Sequence, residues 1–124
     1  MIPVIQKTKY DCWRACIASI LEIDIEALPL PEDNMHHTSA QYVAKLRKAL
    51  LELGYTLTCY SPQNINSKIL SSPDTGGYVI AIGRSPRGNY NHAVVWINGI
   101  VHDPHPEKTG ILDIRAFQVI RRVT

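Results

Sequence analysis

The sequence is poor in cysteine, in aromatic residues and in net charge, each of which would otherwise point directly to a class of protein. Its 124 residues include three cysteines, two tryptophans and one phenylalanine, and the formal net charge is only +2. So small a charge excess excludes a broad basic surface for nucleic-acid phosphates. No apolar run approaches the roughly 20 residues of a membrane-spanning helix, and residues 1–7 do not resemble a signal peptide. With 45% hydrophobic and 19% charged residues, we expect one globular domain over residues 1–124 and neither a nucleic-acid nor a membrane partner.

The cysteine count limits the disulfide chemistry of the chain. Three is an odd number, so a complete set of intrachain disulfides is excluded. Without an export signal we expect a cytoplasmic location, where thiols stay reduced. A free thiol is either a small buried side chain or a nucleophile, and its position in the fold distinguishes the two.

Two stretches have the apolar spacing of a helix. The first covers residues 12–22, with Asp11 as its N-cap, and the second covers residues 39–53. Gly54 follows the second helix at the position where a left-handed residue ends many helices. The first helix has one apolar face, which is made by Trp13, Cys16, Ile17, Ile20 and Leu21.

The second half of the chain has the alternation of a β-sheet. The Asn98-Gly99 pair predicts a two-residue hairpin loop between two of the strands. Helices packed on an antiparallel sheet make the predicted fold class α+β. Strands are predicted at residues 55–60, 77–83, 92–97, 100–103 and 117–123, with one helical turn at 24–28 and a short helix at 64–70.

Cys12 is the cysteine placed for chemistry. It falls in the first turn of the first predicted helix, where backbone N–H groups lack partners and the helix dipole is positive. Both effects favour a thiolate, so we expect a lowered thiol pKa at Cys12. The same N–H groups suit a developing oxyanion. Cys16, on the apolar stripe, and Cys59, in a strand, are interpreted as packed structural residues.

The predicted hairpin supplies a base for this thiol. With a two-residue loop Val95 pairs with His102, and side chains alternate between the faces of the sheet. His92 and Asp103 then share one face, while His102 points to the other. We therefore predict that His92 is a general base oriented by Asp103. A slip of one residue in the pairing would exchange His102 for Asp103.

Gln6 is the candidate for a second oxyanion donor. It precedes Cys12 by six positions in an extended segment, and its side-chain amide carries two N–H donors and no charge. His102 and His105 do not provide the three or four converging ligands that zinc requires, so we expect neither a metal nor another cofactor.

Four further residues are candidates for substrate contact. Arg87 belongs to the polar loop that enters the His92 strand, and His105 is expected opposite His92. Trp13 and Trp96 are interpreted first as core residues, although Trp96 shares a face with His92 and would there shield it from water.

The ordered set of Gln6, Asp11-Cys12-Trp13, His92 and Asp103 resembles the papain-like cysteine peptidases. The segment YDCWRACIASIL is similar to the nucleophile helix of the bacteriocin-processing C39 peptidases and of small stand-alone C39-like proteins. The segment NHAVVWINGIVHDPHP is similar to their histidine hairpin. The likeness runs from Gln6 to about Pro106, although Trp13 stands where the transporter-linked peptidases have glycine.

The resemblance implies a papain-like fold and a role for each of four residues. Cys12 would be the nucleophile, His92 the general base and acid, and Asp103 the residue that orients His92. Gln6 and the backbone N–H of Cys12 would form the oxyanion hole.

These residues predict a cysteine-dependent hydrolase that acts on a peptide, protein or other amide substrate without a cofactor. One alternative is a papain-fold module that binds or inhibits a partner without catalysis. Another is an acyl or γ-glutamyl transferase that uses the same residues with an amine acceptor. The oligomeric state is left open.

Overall fold

A computed structural model describes residues 1–8, 11–30, 40–71 and 73–123 of the chain. Its five strands form one sheet in the order β1-β5-β2-β3-β4, and every neighbouring pair is antiparallel, so the predicted α+β class is confirmed. None of the described helices is long and apolar enough to cross a membrane. The helices are α1 (Cys12–Leu21), α2 (Ala40–Glu52) and α3 (Ser67–Leu70), and the strands are β1 (Tyr55–Tyr60), β2 (Val79–Arg84), β3 (Asn91–Trp96), β4 (Ile100–His102) and β5 (Ala116–Arg122).

Most predicted elements lie within one or two residues of the observed ones. Residue 39, the predicted start of the second helix, lies outside the described residues. Gly54 has the expected left-handed backbone, with φ of 91°. The predicted turn at 24–28 is a single 3₁₀ turn, Ile25–Ala27, which the Asp24 carboxylate caps by accepting the Glu26 N–H. The short helix predicted at 64–70 is α3 alone.

Helix α1 is buried on all sides, which its single apolar stripe does not predict. One side packs against β3 and β2. The extended N-terminal segment covers another side, because the N–H of Ile2 donates to the Ser19 carbonyl and the N–H of Val4 donates to the Ser19 hydroxyl. Polar residues of α1 are therefore buried with the apolar ones, Arg14 and Ser19 among them.

Arg14 ties the start of α1 to its surroundings. Its side chain is 1% exposed and forms ion pairs with Asp11 at 3.4 Å and Glu26 at 3.3 Å. Asp11 stands at the predicted N-cap position but does not cap the helix with its side chain. Its carboxylate instead accepts the backbone N–H groups of Lys7 and Thr8. The loop before Cys12 is thereby fixed to the helix by charge-assisted hydrogen bonds.

The sheet has an apolar layer on each face. Alternation along the strands sends Val95 towards α1, while Val94 points to the opposite face. The helix-side layer joins α1 and α2 to Leu57, Ile80, Val95 and Ile120. The other layer is formed by Val79, Ala81, Val94, Phe117 and Val119, against which Ile69 and Leu70 of α3 pack.

The β3–β4 hairpin corrects one prediction and confirms another. Trp96 pairs with Ile100, so the loop between them has three residues rather than two. A β-bulge follows, because Val101 is left over before Val95 pairs with His102. The added loop residue and the bulge cancel, and the predicted pairing of Val95 with His102 is confirmed.

Gly83 pairs directly with His92 in the β2–β3 ladder. A Cβ atom at this position would lie 1.8 Å from the backbone oxygen of Asp113, so one of the two backbones would have to move. We expect Gly83→Ala to lower the free energy of unfolding by about 2–3 kcal/mol in urea titrations. The control is Gly88→Ala, whose Cβ meets the Tyr90 ring, a side chain, rather than backbone. Equal stability of the two variants would contradict the close approach.

Candidate active site

His92 and Asp103 form a buried pair at the edge of the sheet. His92 is the second residue of β3, and Asp103 directly follows β4. The imidazole Nε2 lies 2.7 Å from a carboxylate oxygen of Asp103, and the side chains are 2% and 4% exposed. The contact predicted from strand alternation is therefore confirmed. Because Nε2 is engaged, Nδ1 is the ring nitrogen left for a reaction partner.

The Asp103 carboxylate organises the loop that follows it. It accepts the backbone N–H of His105 at 2.9 Å and that of Gly110 at 2.8 Å. Burial acts to raise the pKa of Asp103, but the hydrogen bonds from His92, His105 and Gly110 outweigh burial and bring the pKa to about 2. An ionised carboxylate only accepts hydrogen bonds. The hydrogen of neutral His92 is therefore held on Nε2, and the lone pair stays on Nδ1.

Cys12 lies next to His92 through a backbone contact. The backbone N–H groups of Trp13 and of Ala93, the residue after His92, act on its sulfur and lower the thiol pKa. Strand β4 ends at His102, the partner of Val95. Among the described residues, the part of β3 before Val95 therefore has no strand paired on that side. The Ala93 N–H is therefore not taken up by β4 and acts on the sulfur, so the thiol lies next to the residue that follows the predicted base.

The thiol of Cys12 is not the activated thiolate that its helical position predicts. Burial, with only 2% of the residue exposed, raises the pKa of Cys12 to about 11. The N–H groups of Ala93 and Trp13 lower the pKa, but the charges of Asp11 and Asp103 raise it further. The resting thiol keeps its proton at neutral pH, and attack on a substrate requires a base that removes it.

The other two cysteines differ from each other. Cys16 is fully buried beside Cys12 on α1, and burial raises its pKa, as expected of a packed residue. Cys59 is exposed, so its interpretation as packed is wrong. It lies near the end of β1, an edge strand that pairs only with β5, and edge strands leave side chains open to solvent.

Gln6 lies beside the site but its side chain is partly engaged. Its backbone N–H donates to the Pro104 carbonyl at 2.9 Å, next to Asp103. Its side-chain amide donates one hydrogen bond to the Thr8 carbonyl at 2.9 Å. The buried Oε1 has no partner in the part of the chain that the structure describes. One side-chain N–H is left to donate, and the oxyanion role of Gln6 stays a prediction.

Trp13 lies in the core, and the half-buried Trp96 packs against the second apolar layer. Trp13 is 3% exposed and meets the Tyr42 ring edge-on at 6.1 Å. Trp96 packs against Phe117 at 5.8 Å. It is four residues from His92 along β3, about 13 Å at the rise of a strand. The expectation that Trp96 shields His92 is therefore wrong, because a shared face does not place residues at the same end of a strand.

His105 lies beside His92, and the charge of Arg87 acts on His105. The rings of His105 and His92 are 6.2 Å apart and nearly perpendicular. A guanidinium N–H of Arg87 donates to the Thr109 hydroxyl, in the loop after His105. This loop of residues 103–110 is closed by the N–H groups that bond to Asp103. Sequence reasoning could not find the backbone donors Ala93 and Gly110, because a backbone N–H leaves no mark in the residue type. The glycine at position 110, with φ of 75°, is the one local hint, since such a φ is typical of a glycine turn.

The low pKa of Asp103 predicts acid sensitivity. A folded pKa of about 2 against about 3.9 in the unfolded chain contributes about 3 kcal/mol of stability. That contribution is present above about pH 4 and is lost as the pH falls through 2. We expect Asp103→Asn to be less stable than the native protein at pH 6, with a difference that shrinks towards pH 2 in urea titrations. Asp24→Asn, at an exposed turn, is the control. A difference independent of pH would contradict the assignment.

The thiol chemistry predicts an order of alkylation. We expect iodoacetamide to modify exposed Cys59 before buried Cys12 at pH 7. The rate at Cys12 should rise with pH up to its pKa of about 11. Peptide mapping by mass spectrometry after timed quenching gives both rates. Faster modification of Cys12 than of Cys59 at pH 7 would instead show a resting thiolate paired with imidazolium.

Comparison with known proteins adds no relative to this geometry. No protein-family model matches the chain. Neither the curated proteins nor the solved structures include a match. What the site does therefore has to be judged from its own residues, distances and charges.

Proposed function

We propose that the protein is a cysteine-dependent hydrolase of amide bonds with a papain-like, C39-like fold. One observation carries the proposal. The Nε2 atom of His92 lies 2.7 Å from an ionised carboxylate, and the N–H of the next residue, Ala93, acts on the Cys12 sulfur. The candidate nucleophile therefore lies against the residue that follows the base, and the base is oriented by a carboxylate, which are the parts that this chemistry needs. A cytoplasmic location is part of the proposal, because a nucleophilic thiol has to stay reduced.

The first half of the proposed reaction forms a thioester. As the Cys12 sulfur attacks the carbonyl carbon, its proton passes to Nδ1 of His92 and negative charge develops on the carbonyl oxygen. The charge of Asp103 stabilises the imidazolium. The free side-chain N–H of Gln6 and the Cys12 backbone N–H stabilise the oxyanion. The carbon–nitrogen bond then breaks, and the proton on Nδ1 leaves with the amine.

The second half releases the acyl group. Water gives a proton to Nδ1 of His92 as its oxygen attacks the thioester carbon. The carbon–sulfur bond breaks, the carboxylic acid departs, and the sulfur takes back the proton from His92. Because the resting Cys12 thiol is neutral, His92 acts as a general base that removes the thiol proton during attack. No thiolate–imidazolium pair has to exist beforehand.

The fold supports the same proposal. Helix α1 presents its first residue to the sheet, and an antiparallel hairpin presents His92 and Asp103. The positive end of the helix dipole lies where the oxyanion forms. The resemblance of the Cys12 and His92 segments to C39 peptidases is consistent with this arrangement.

The burial of Cys12 favours a second candidate, a papain-fold module that binds a partner without catalysis. Only 2% of Cys12 is exposed, and its raised pKa makes the resting thiol unreactive. In that case any effect on a partner would not need the sulfur. Replacement of Cys12 therefore separates the two candidates.

A peptide library tests the hydrolase. We expect the native protein to cleave members of a mixed library of N-acetylated peptides, followed by mass spectrometry. Cys12→Ala and His92→Ala should each lower the rate by about 10³-fold or more. Cys59→Ala, which removes an exposed thiol far from His92, should leave the rate unchanged. Cleavage that persists in Cys12→Ala would contradict the proposal, as would the lack of any thioester trapped by hydroxylamine from the native protein.

A further inference from the structure

Arg87 is a cation without an acidic partner. None of the ion pairs among the described residues involves it. One end of its guanidinium donates to the Thr109 hydroxyl, and its backbone N–H donates to the buried hydroxyl of Ser85 at 3.1 Å. Its Nε–H is buried and has no acceptor in the described part of the chain. Buried donors are nearly always satisfied, so an acceptor for this N–H is missing.

His105 adds a second donor next to Arg87. Its Nδ1 accepts the N–H of Glu107 at 3.0 Å, so the hydrogen of the neutral ring is on Nε2. Burial and the nearby charge of Arg87 lower the pKa of His105, which keeps the ring neutral at pH 7. The His105 ring lies against the His92 ring at 6.2 Å. His105 therefore places an N–H donor beside the candidate base, and the charge of Arg87 lies close to His105.

The buried carboxylate near these donors, that of Asp103, is already in use, while the Glu107 carboxylate also acts on His105. The two oxygens of Asp103 take hydrogen bonds from His92, His105 and Gly110. Lys108 adds positive charge, and its ammonium donates to the Asp103 backbone carbonyl at 3.1 Å. A planar anion with two oxygens is the group that satisfies a guanidinium and an imidazole N–H together.

We propose that Arg87 and His105 form a subsite for a substrate carboxylate on the leaving-group side of the scissile bond. The location on that side rests on the proposed function, in which His92 gives its proton to the leaving amine. In an α-amino acid the carboxylate carbon is two bonds from that nitrogen. The substrate class is thus a peptide or N-acyl amino acid with a free terminal carboxylate, and the product is the released amino acid.

Binding tests the subsite without turnover. The probes are N-acetyl-alanyl-alanine and its C-terminal amide, titrated into Cys12→Ala protein and followed by NMR of the backbone and imidazole signals. We expect the acid to bind at least about tenfold more tightly than the amide, a ratio typical of one charge-assisted pair. The signals of His105 should shift with the acid. Arg87→Gln should remove the preference, and Arg121→Gln, at the far end of β5, should retain it.

Two results would overturn the subsite: equal affinity for acid and amide, or a preference that survives in Arg87→Gln. If Arg87→Gln fails to fold, Arg87→Lys is used, which keeps the charge but lacks Nε–H and should lose most of the preference. Because the probes bind to protein that lacks the thiol, a failure of hydrolysis leaves this result intact. Hydrolysis of acids and amides at equal rates by the native protein would refute the subsite and leave the hydrolase standing.

Discussion

The buried carboxylate of Asp103 is the interaction on which the candidate site depends. It holds the His92 ring from one side and the 103–110 loop from the other, through the N–H groups of His105 and Gly110. A buried charge is costly unless such hydrogen bonds compensate it. The same two oxygens of Asp103 orient the imidazole and close the loop, so they fix both the tautomer of His92 and the position of His105.

The site also balances reactivity against burial. The N-terminus of α1 and the Ala93 N–H favour a thiolate at Cys12, whereas burial and the charge of Asp103 oppose it. The balance leaves a protonated thiol beside a base whose second nitrogen is already committed. The negative charge of Asp103 thus has two effects: it stabilises an imidazolium and it discourages a resting thiolate. In such an arrangement the thiol proton would pass to His92 only as the sulfur electron pair attacks a substrate carbonyl.

Strand alternation made the contact of His92 with Asp103 predictable, because a period of two decides which side chains share a face. The predicted loop was one residue too short, but the prediction still held because the bulge at Val101 restored the pairing of Val95 with His102. The burial of Arg14 and the raised pKa of Cys12 were not predictable, since both depend on which segments cover α1. The exposure of Cys59 likewise follows from the place of β1 at an edge, which local sequence does not reveal.

The contact between Cys12 and Ala93 has a consequence for the synthesis and folding of the chain. The two residues are more than 80 positions apart, and contacts of such separation form late because a long loop has to close first. During synthesis Cys12 emerges long before the strand that carries His92. A nascent or partly unfolded chain therefore holds an ordinary cysteine with no base beside it. Completion of the fold is what brings the Ala93 N–H to that cysteine, so misfolded copies would lack the assembled candidate site.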